Sequence, residues 1–223
     1  MGDRTAKNAL FDGFAEVGKA VANGRRAELL DVLAQGERHV DALAAEIDQS
    51  VATTSFHLRV LAGAGLVTTR RDGTKVHYRL ASDRVETLWS ALRDVAAAHL
   101  ADLEGLAAAY LGRTDGIEQV TRDELARRVA AGDVIVLDVR PAVEYDAGHI
   151  ASARSVPMDG LAGQLADLPA DTDVIAYCRG PFCVYADDAV RFLRRRGRRA
   201  ARLEDGYPQW RAAGLPVELA AAP

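Results

Sequence analysis

The apolar residues of this chain change their period near its middle, and no single layer of secondary structure accommodates both patterns. Up to about residue 112 they recur at helical spacings, interrupted once between Gly65 and Leu80 by a stretch that alternates like strands. Beyond about residue 118, two nearly all-apolar runs, Val134–Val139 and Asp173–Cys178, alternate with helical stretches, as strands covered on both faces do. The 223 residues are enough for two compact domains of about 110 residues each. The sequence therefore predicts a multi-domain chain, with a mainly-α domain over residues 1–112, a linker over 113–117 and an α/β domain with a mainly parallel sheet over 118–223. The boundary rests on Gly112-Arg-Thr-Asp-Gly116, which reads as a hinge, and on Thr121-Arg-Asp-Glu124, a capping box opening a helix. No apolar run reaches the roughly 18 residues that a membrane span needs, and Met1–Leu10 lacks a signal peptide's apolar stretch, so a cytoplasmic chain without a membrane partner is expected.

A formal net charge of −4 gives the whole molecule no electrostatic pull on nucleic acid, so any basic surface must be local. One such surface lies between Ser50 and Leu80, where Arg59, Arg70, Arg71, Lys75 and Arg79 face a single acid, Asp72. Three short helices are expected before the alternating stretch, the last capped by Ser50. Helical spacing puts Thr54, Leu58 and Leu61 on one face of it and turns Thr53, Ser55, Phe56 and Arg59 away, and small hydroxyls with a basic residue suit a major groove. The alternating stretch reads as a hairpin turning at Asp72-Gly73, with Val76, Tyr78 and Leu80 on one face and Lys75, His77 and Arg79 on the other. Candidate contacts to a double-stranded DNA operator are thus Ser50, Thr53, Ser55, Phe56 and Arg59 on the helix, and Arg70, Arg71, Lys75 and His77 on the hairpin. The bland alternative is a surface helix and hairpin that carry these residues by chance. Ser82–Leu111, rich in Ala and Leu, reads as one long helix that buries Leu88, Leu92, Val95, Leu103 and Leu106 against another chain.

Three blocks in this order, Val17–Arg26, Ser55–Val67 and Arg71–Leu80, resemble the ArsR family of winged-helix repressors. The resemblance covers roughly residues 10 to 111 and implies a winged helix-turn-helix domain. It also implies a homodimer formed through the first and last helices, each subunit placing a recognition helix and a wing on half an operator. Many members of that family respond to metal, but His39–Ala44 holds no cysteine, and Leu88 stands where His99 and Asp102 would need a second histidine. No metal and no cofactor are expected.

The cysteines, Cys178 and Cys183, are too few for a disulfide framework and stand five positions apart at the end of a predicted strand, so reactive thiols are the better reading. Between them lie Arg179, Gly180, Pro181 and Phe182, and a helix follows. A sulfur there sits in a cup of backbone N–H groups, and the helix N-terminus and Arg179 favour the thiolate; the alternative is a buried, inert cysteine. Val136–Arg140, Glu144–Pro157 and Gly206–Pro216 resemble the rhodanese family, with Cys178 at the position of its persulfide-forming cysteine. The resemblance runs from about Glu118 to Leu219 and implies an α/β rhodanese-like fold with catalytic Cys178, Arg179 and Cys183 and an anion or sulfane-sulfur loop of Gly180, Pro181 and Phe182. Two departures matter. In the common Cys-x-x-Gly-x-Arg pattern Pro181 stands for the glycine and Cys183 for the arginine, and Val184 stands where phosphatase-like relatives need an arginine. A second thiol suits a resolving role, although Cys183 also fits as a small apolar residue in the first helical turn.

Asp138, Arg140, Glu144 and His149 read as residues that hold loops, because transfer of sulfur to a thiolate needs no proton abstraction. The six arginines within Arg191–Arg199 suit a solvated helix C-terminus, with polyanion contact as the alternative. Together the two halves predict a one-component repressor that senses a sulfane-sulfur or oxidant small molecule through Cys178. Its rivals are a sulfurtransferase enzyme with an accessory DNA-binding domain and a constitutive repressor with a vestigial second domain.

Overall fold

A computed structural model describes residues 2–112, 116–169 and 171–219. The chain divides into two compact units, Met1–Ala98 and His99–Pro223. The division precedes the expected hinge at Gly112 to Gly116, whose residues 113–115 lie outside the described residues.

The first unit runs α1 (Arg4–Val21), α2 (Gly24–Leu33), β1 (Arg38–His39), α3 (Val40–Glu46), α4 (Val51–Gly63), β2 (Val67–Asp72), β3 (Lys75–Leu80) and α5 (Asp83–His99). Four helices therefore precede the hairpin, not the expected three. The Asn23 side chain accepts the N–H groups of Arg25 and Arg26, so α2 starts afresh immediately after the long α1. The strands form one antiparallel sheet in the order β1-β3-β2, and β2 and β3 meet across the expected Asp72-Gly73 turn, with Asp72 opposite Lys75. Leu29, Leu30, Leu43, Ile47, Leu58, Leu61 and Leu66 form the core between the helices and the hairpin.

The expected single helix over Ser82–Leu111 is corrected to two, α5 and α6 (Leu103–Leu111), the latter in the second unit. The backbone carbonyl of Asp102 accepts the N–H of Leu106 at the head of α6, and the Asp102 side chain makes no capping hydrogen bond.

The second unit continues with β4 (Gln119–Val120), α7 (Arg122–Ala131), β5 (Val134–Asp138), α8 (Ala142–Ala147), β6 (His149–Ile150), β7 (Arg154–Ser155) and α9 (Leu161–Gln164). After β8 (Asp173–Cys178) come α10 (Val184–Arg194), β9 (Ala200–Gly206), α11 (Tyr207–Ala212) and β10 (Val217–Glu218). Five strands make a parallel sheet in the order β4-β9-β8-β5-β7, and β10 pairs with β6 apart from it. Successive side chains of a strand point to opposite faces, and β8 uses both. Val174, Ala176 and Cys178 join a core with Ala186, Ala189, Val190 and Leu193 of α10. Ile175 and Tyr177 join the opposite core with Leu125 of α7 and with Tyr207 and Trp210 of α11. Burial on both faces is why the strand reads as an unbroken apolar run.

The arginine run closes the far end of α10. Arg194 donates to the carbonyls of Ala200 (2.7 Å) and Gly116 (2.5 Å), Arg198 to that of Leu168, and Arg199 to the Asp173 carboxylate at 2.5 Å. Hydrogen bonds from Arg199 and Arg128 hold the Asp173 carboxyl below its usual range. Among the described residues no helix is long and apolar enough to cross a membrane.

Candidate functional site

The central strand β8 delivers Cys178 to the carboxyl edge of the sheet, where ligands bind in open α/β folds. The loop that follows returns to Cys183, the residue immediately before α10, and the two sulfurs are joined in a disulfide with a Cα–Cα separation of 6.2 Å. Cys178 is only 1% exposed and Cys183 only 9%. Instead of separate reactive thiols, the structure holds the two sulfurs as one bond closing a short loop. Within that loop the N–H of Cys183 donates to the carbonyl of Gly180 at 3.2 Å, and Phe182 protrudes at the tip.

Arg179 is paired with a carboxylate. Its guanidinium donates to both oxygens of Glu144, at 2.5 to 3.1 Å, and Glu144 is 1% exposed in the first turn of α8. A nearly buried carboxylate therefore balances the cation that the sequence assigns to the thiolate.

Three residues outside the sequence-derived site set the loop. Arg202 of β9, itself buried, donates to Asp187 of α10 at 2.8 Å and to the carbonyl of Gly180 at 3.4 Å, tying strand, helix and loop together. The other Asp187 oxygen is buried without a hydrogen-bond partner among the described residues. Gly206 pairs with Cys178 across the sheet, and a Cβ there would lie 2.3 Å from the Arg179 carbonyl carbon and 2.3 Å from the Gly180 nitrogen. In β9, Ala200-Ala-Arg-Leu-Glu-Asp-Gly206, the sequence marks Arg202 by a cation between apolar residues and Gly206 by a glycine at the strand's end, and nothing local marks Asp187 of α10.

Beneath the loop, Asp138 accepts the Arg140 backbone N–H at 3.0 Å, the Arg140 side chain at 2.5 to 3.1 Å and the Tyr177 hydroxyl at 2.5 Å. Arg140 also donates to the carbonyl of Gly148 at 2.7 Å and stacks over the Tyr207 ring, 4.5 Å from its centroid. Burial, with the Asp138 charge beside it, pushes the Tyr177 hydroxyl well above the usual phenol range, so it stays a proton donor. These residues, with His149 stacked on Tyr145 at 3.6 Å, hold loops, as expected from the sequence.

In the first unit, Ser50 caps α4. Its hydroxyl accepts the N–H of Thr53 at 3.1 Å and meets the Thr53 hydroxyl at 2.9 Å. Thr54, Leu58 and Leu61 are fully buried, whereas Phe56 and Arg59 are exposed and Thr53 and Ser55 half-buried, the two faces that helical spacing requires. Arg71 and Lys75 are exposed on the hairpin. Arg70 is held by Glu37 at 2.6 Å, and half-buried His77 packs edge-on to His39, 5.9 Å between centroids. Glu37 lies outside the stretch whose charges make the basic cluster, so the hairpin is less positive than its own residues imply. Leu10, Phe11 and Phe14 of α1 and Leu88, Leu92 and Val95 of α5 are exposed apolar residues. Among the described residues no group of three or more His, Cys, Asp or Glu could hold a metal ion.

Residues 23–69 match the model of the bacterial regulatory protein arsR family, and residues 121–213 match that of the rhodanese-like domain. The HTH-type transcriptional regulator Rv0324 of Mycobacterium tuberculosis is 49% identical over 217 residues, covering 97% of this chain and 95% of that protein. A sulfurtransferase of Allochromatium vinosum is 30% identical over 103 residues, 45% of this chain and 94% of its own length. Among solved structures, the homodimeric winged helix-turn-helix DNA-binding domain (fragment 1–100) from Mycobacterium bovis is 47% identical, with a TM-score of 0.42, covering 45% of this chain and 91% of that one.

Proposed function

The chain belongs to the arsR family of bacterial regulatory proteins and carries a rhodanese-like domain, and on that premise we propose that this transcriptional regulator is a homodimeric repressor that senses reactive sulfur through Cys178. The observation that carries the reading is the joining of Cys178 and Cys183 inside one buried loop. Cys178 thiolate attacks the outer sulfur of a donor R–S–SH, forming Cys178–S–SH and releasing R–S⁻. Cys183 thiolate then attacks the inner sulfur of that persulfide and expels HS⁻, leaving the disulfide. Across the two steps the cysteine pair loses two electrons and the donor gains them, ending as R–SH and hydrogen sulfide. Closure moves the first residues of α10, and the change passes along the chain through Gly112 to Gly116 to the DNA-binding unit. The apolar stripes on α1 and α5 support the homodimer, since contiguous exposed apolar surface marks partner contacts.

The rival is a sulfurtransferase, favoured by the similarity to the Allochromatium vinosum enzyme. It needs a persulfide that survives until an acceptor arrives, and Cys183, within bonding distance of Cys178, removes it. The test is a gel shift of the full-length protein on operator DNA selected from random duplexes, with and without polysulfide, for wild type, Cys178→Ser and Cys183→Ser. Polysulfide should change wild-type affinity by roughly 5- to 150-fold, the usual range of coupling between two sites. Cys178→Ser should abolish the response, and Cys183→Ser should retain an added sulfur in intact mass. An undiminished response in Cys178→Ser, or rapid thiosulfate-to-cyanide turnover with unchanged DNA affinity, overturns the reading.

On the hairpin, Arg71→Ala or Lys75→Ala should weaken binding to all sequences and lower the slope of log K against log salt by about 0.9 each. Arg70→Ala should do less, because Glu37 already neutralises Arg70. Titrating each variant at several salt concentrations checks this.

A further inference from the structure

A cleft of about 580 Å³ lies beside the cysteine loop, lined by Val139, Pro141, Ala142, Pro157, Met158 and Tyr185, with one carboxylate, Asp159. The Val139 N–H donates to the carbonyl of Tyr177, the residue before Cys178, and Tyr185 stands two positions after Cys183. Met158 and Tyr185 pack against the core cluster that contains both cysteines. Resting on the sulfur-sensing reading, we propose that this cleft seats the body of the sulfur donor and selects an organic persulfide whose body is apolar and uncharged or carries an amine, in preference to thiosulfate.

Charge decides the selection. Thiosulfate is a small dianion, and the features that would welcome it are missing or already engaged among the described residues. No lysine or arginine among them lines the cleft, and its one charge, Asp159, repels anions. Arg179 is bound to Glu144, and Arg140 is fully buried against Asp138. Pro181 offers the loop no backbone N–H. Six largely apolar side chains instead cover an organic body, and the carboxylate suits an ammonium group at its edge.

The donor R–S–SH places R in the cleft while the Cys178 thiolate takes the outer sulfur. R–S⁻ leaves, is protonated and exits as R–SH, and the Cys183 step follows as described. Nothing beyond the donor is consumed in forming the disulfide.

The test uses the reduced full-length protein and three probes: benzyl persulfide, the persulfide of cysteamine, and thiosulfate. Disulfide formation is followed by intact mass after alkylation. Both organic donors should react at least about tenfold faster than thiosulfate, the factor expected from one close charge contact at a partly exposed site. Met158→Asp should slow benzyl persulfide by a similar factor. Asp159→Lys, at an exposed position that leaves folding intact, should slow the cysteamine donor and speed thiosulfate. Equal rates for all three donors, or an order unchanged in both variants, overturn the cleft proposal and leave sulfur sensing standing. Failure of every donor to modify Cys178 overturns both.

Discussion

Replacing Arg140 by methionine should destabilise the second unit by about 3–5 kcal/mol, the usual loss when one partner of a buried ion pair is removed. Asp138 and Arg140 are both fully inaccessible, and among the described residues Arg140 supplies the cation on the Asp138 carboxylate. Without it, a charge at the end of β5 keeps the side-chain hydrogen bond from the Tyr177 hydroxyl, and that phenol cannot neutralise it. The Arg140 contacts to the Gly148 carbonyl and the Tyr207 ring are lost as well. Urea unfolding followed by Trp210, in a Trp89→Phe background, isolates the change, because these are the two tryptophans of the chain and Trp210 lies in the same core cluster as Tyr177 and Tyr207. Restoring neutrality with Asp138→Asn in the Arg140→Met background should recover part of the loss. A shift below about 1 kcal/mol, the ordinary worth of an exposed pair, would mean that the network does not stiffen the edge of the sheet.

The second large effect is at Gly206. A Cβ there meets backbone, not the tip of a flexible side chain, so Gly206→Ala must push apart β9 and the segment that begins the cysteine loop. Such overpacking costs typically about 1–3 kcal/mol, and here it falls on the loop that brings the two sulfurs together. After reduction, the variant should reclose the Cys178–Cys183 bond several-fold more slowly than wild type at equal concentrations of an organic persulfide, roughly the rate change that 1 kcal/mol produces. Gly163→Ala is the control, since nothing lies within 4 Å of a Cβ built there. Equal closure rates in the two variants would show that the loop adapts without help from its neighbouring strand.

What the sequence disclosed follows from how locally each feature is encoded. The two-faced burial of β8 is written in consecutive residues, from Val174 to Cys178, and the hairpin in a turn dipeptide flanked by alternation. The Thr121 cap likewise needs a partner only three residues away. Pairings across the fold leave no such trace. Glu144 meets Arg179 from a distant helix, Glu37 meets Arg70 from before the sheet, and Arg202, on a strand between two others, carries no local mark of its Asp187 and Gly180 partners. The break between α5 and α6 was hidden for a different reason. Ala- and Leu-rich sequence favours helix on both sides, and no capping side chain marks the new start, since Asp102 makes no cap hydrogen bond.

The depth at which the sulfur pair lies sets how its bond can be reopened. With Cys178 1% and Cys183 9% exposed, reduction of the bond should wait for the loop to open and should saturate as reductant increases. If Cys178 senses sulfur as proposed, the oxidised state should therefore outlast the donor that produced it, with a lag set by the protein's own fluctuations.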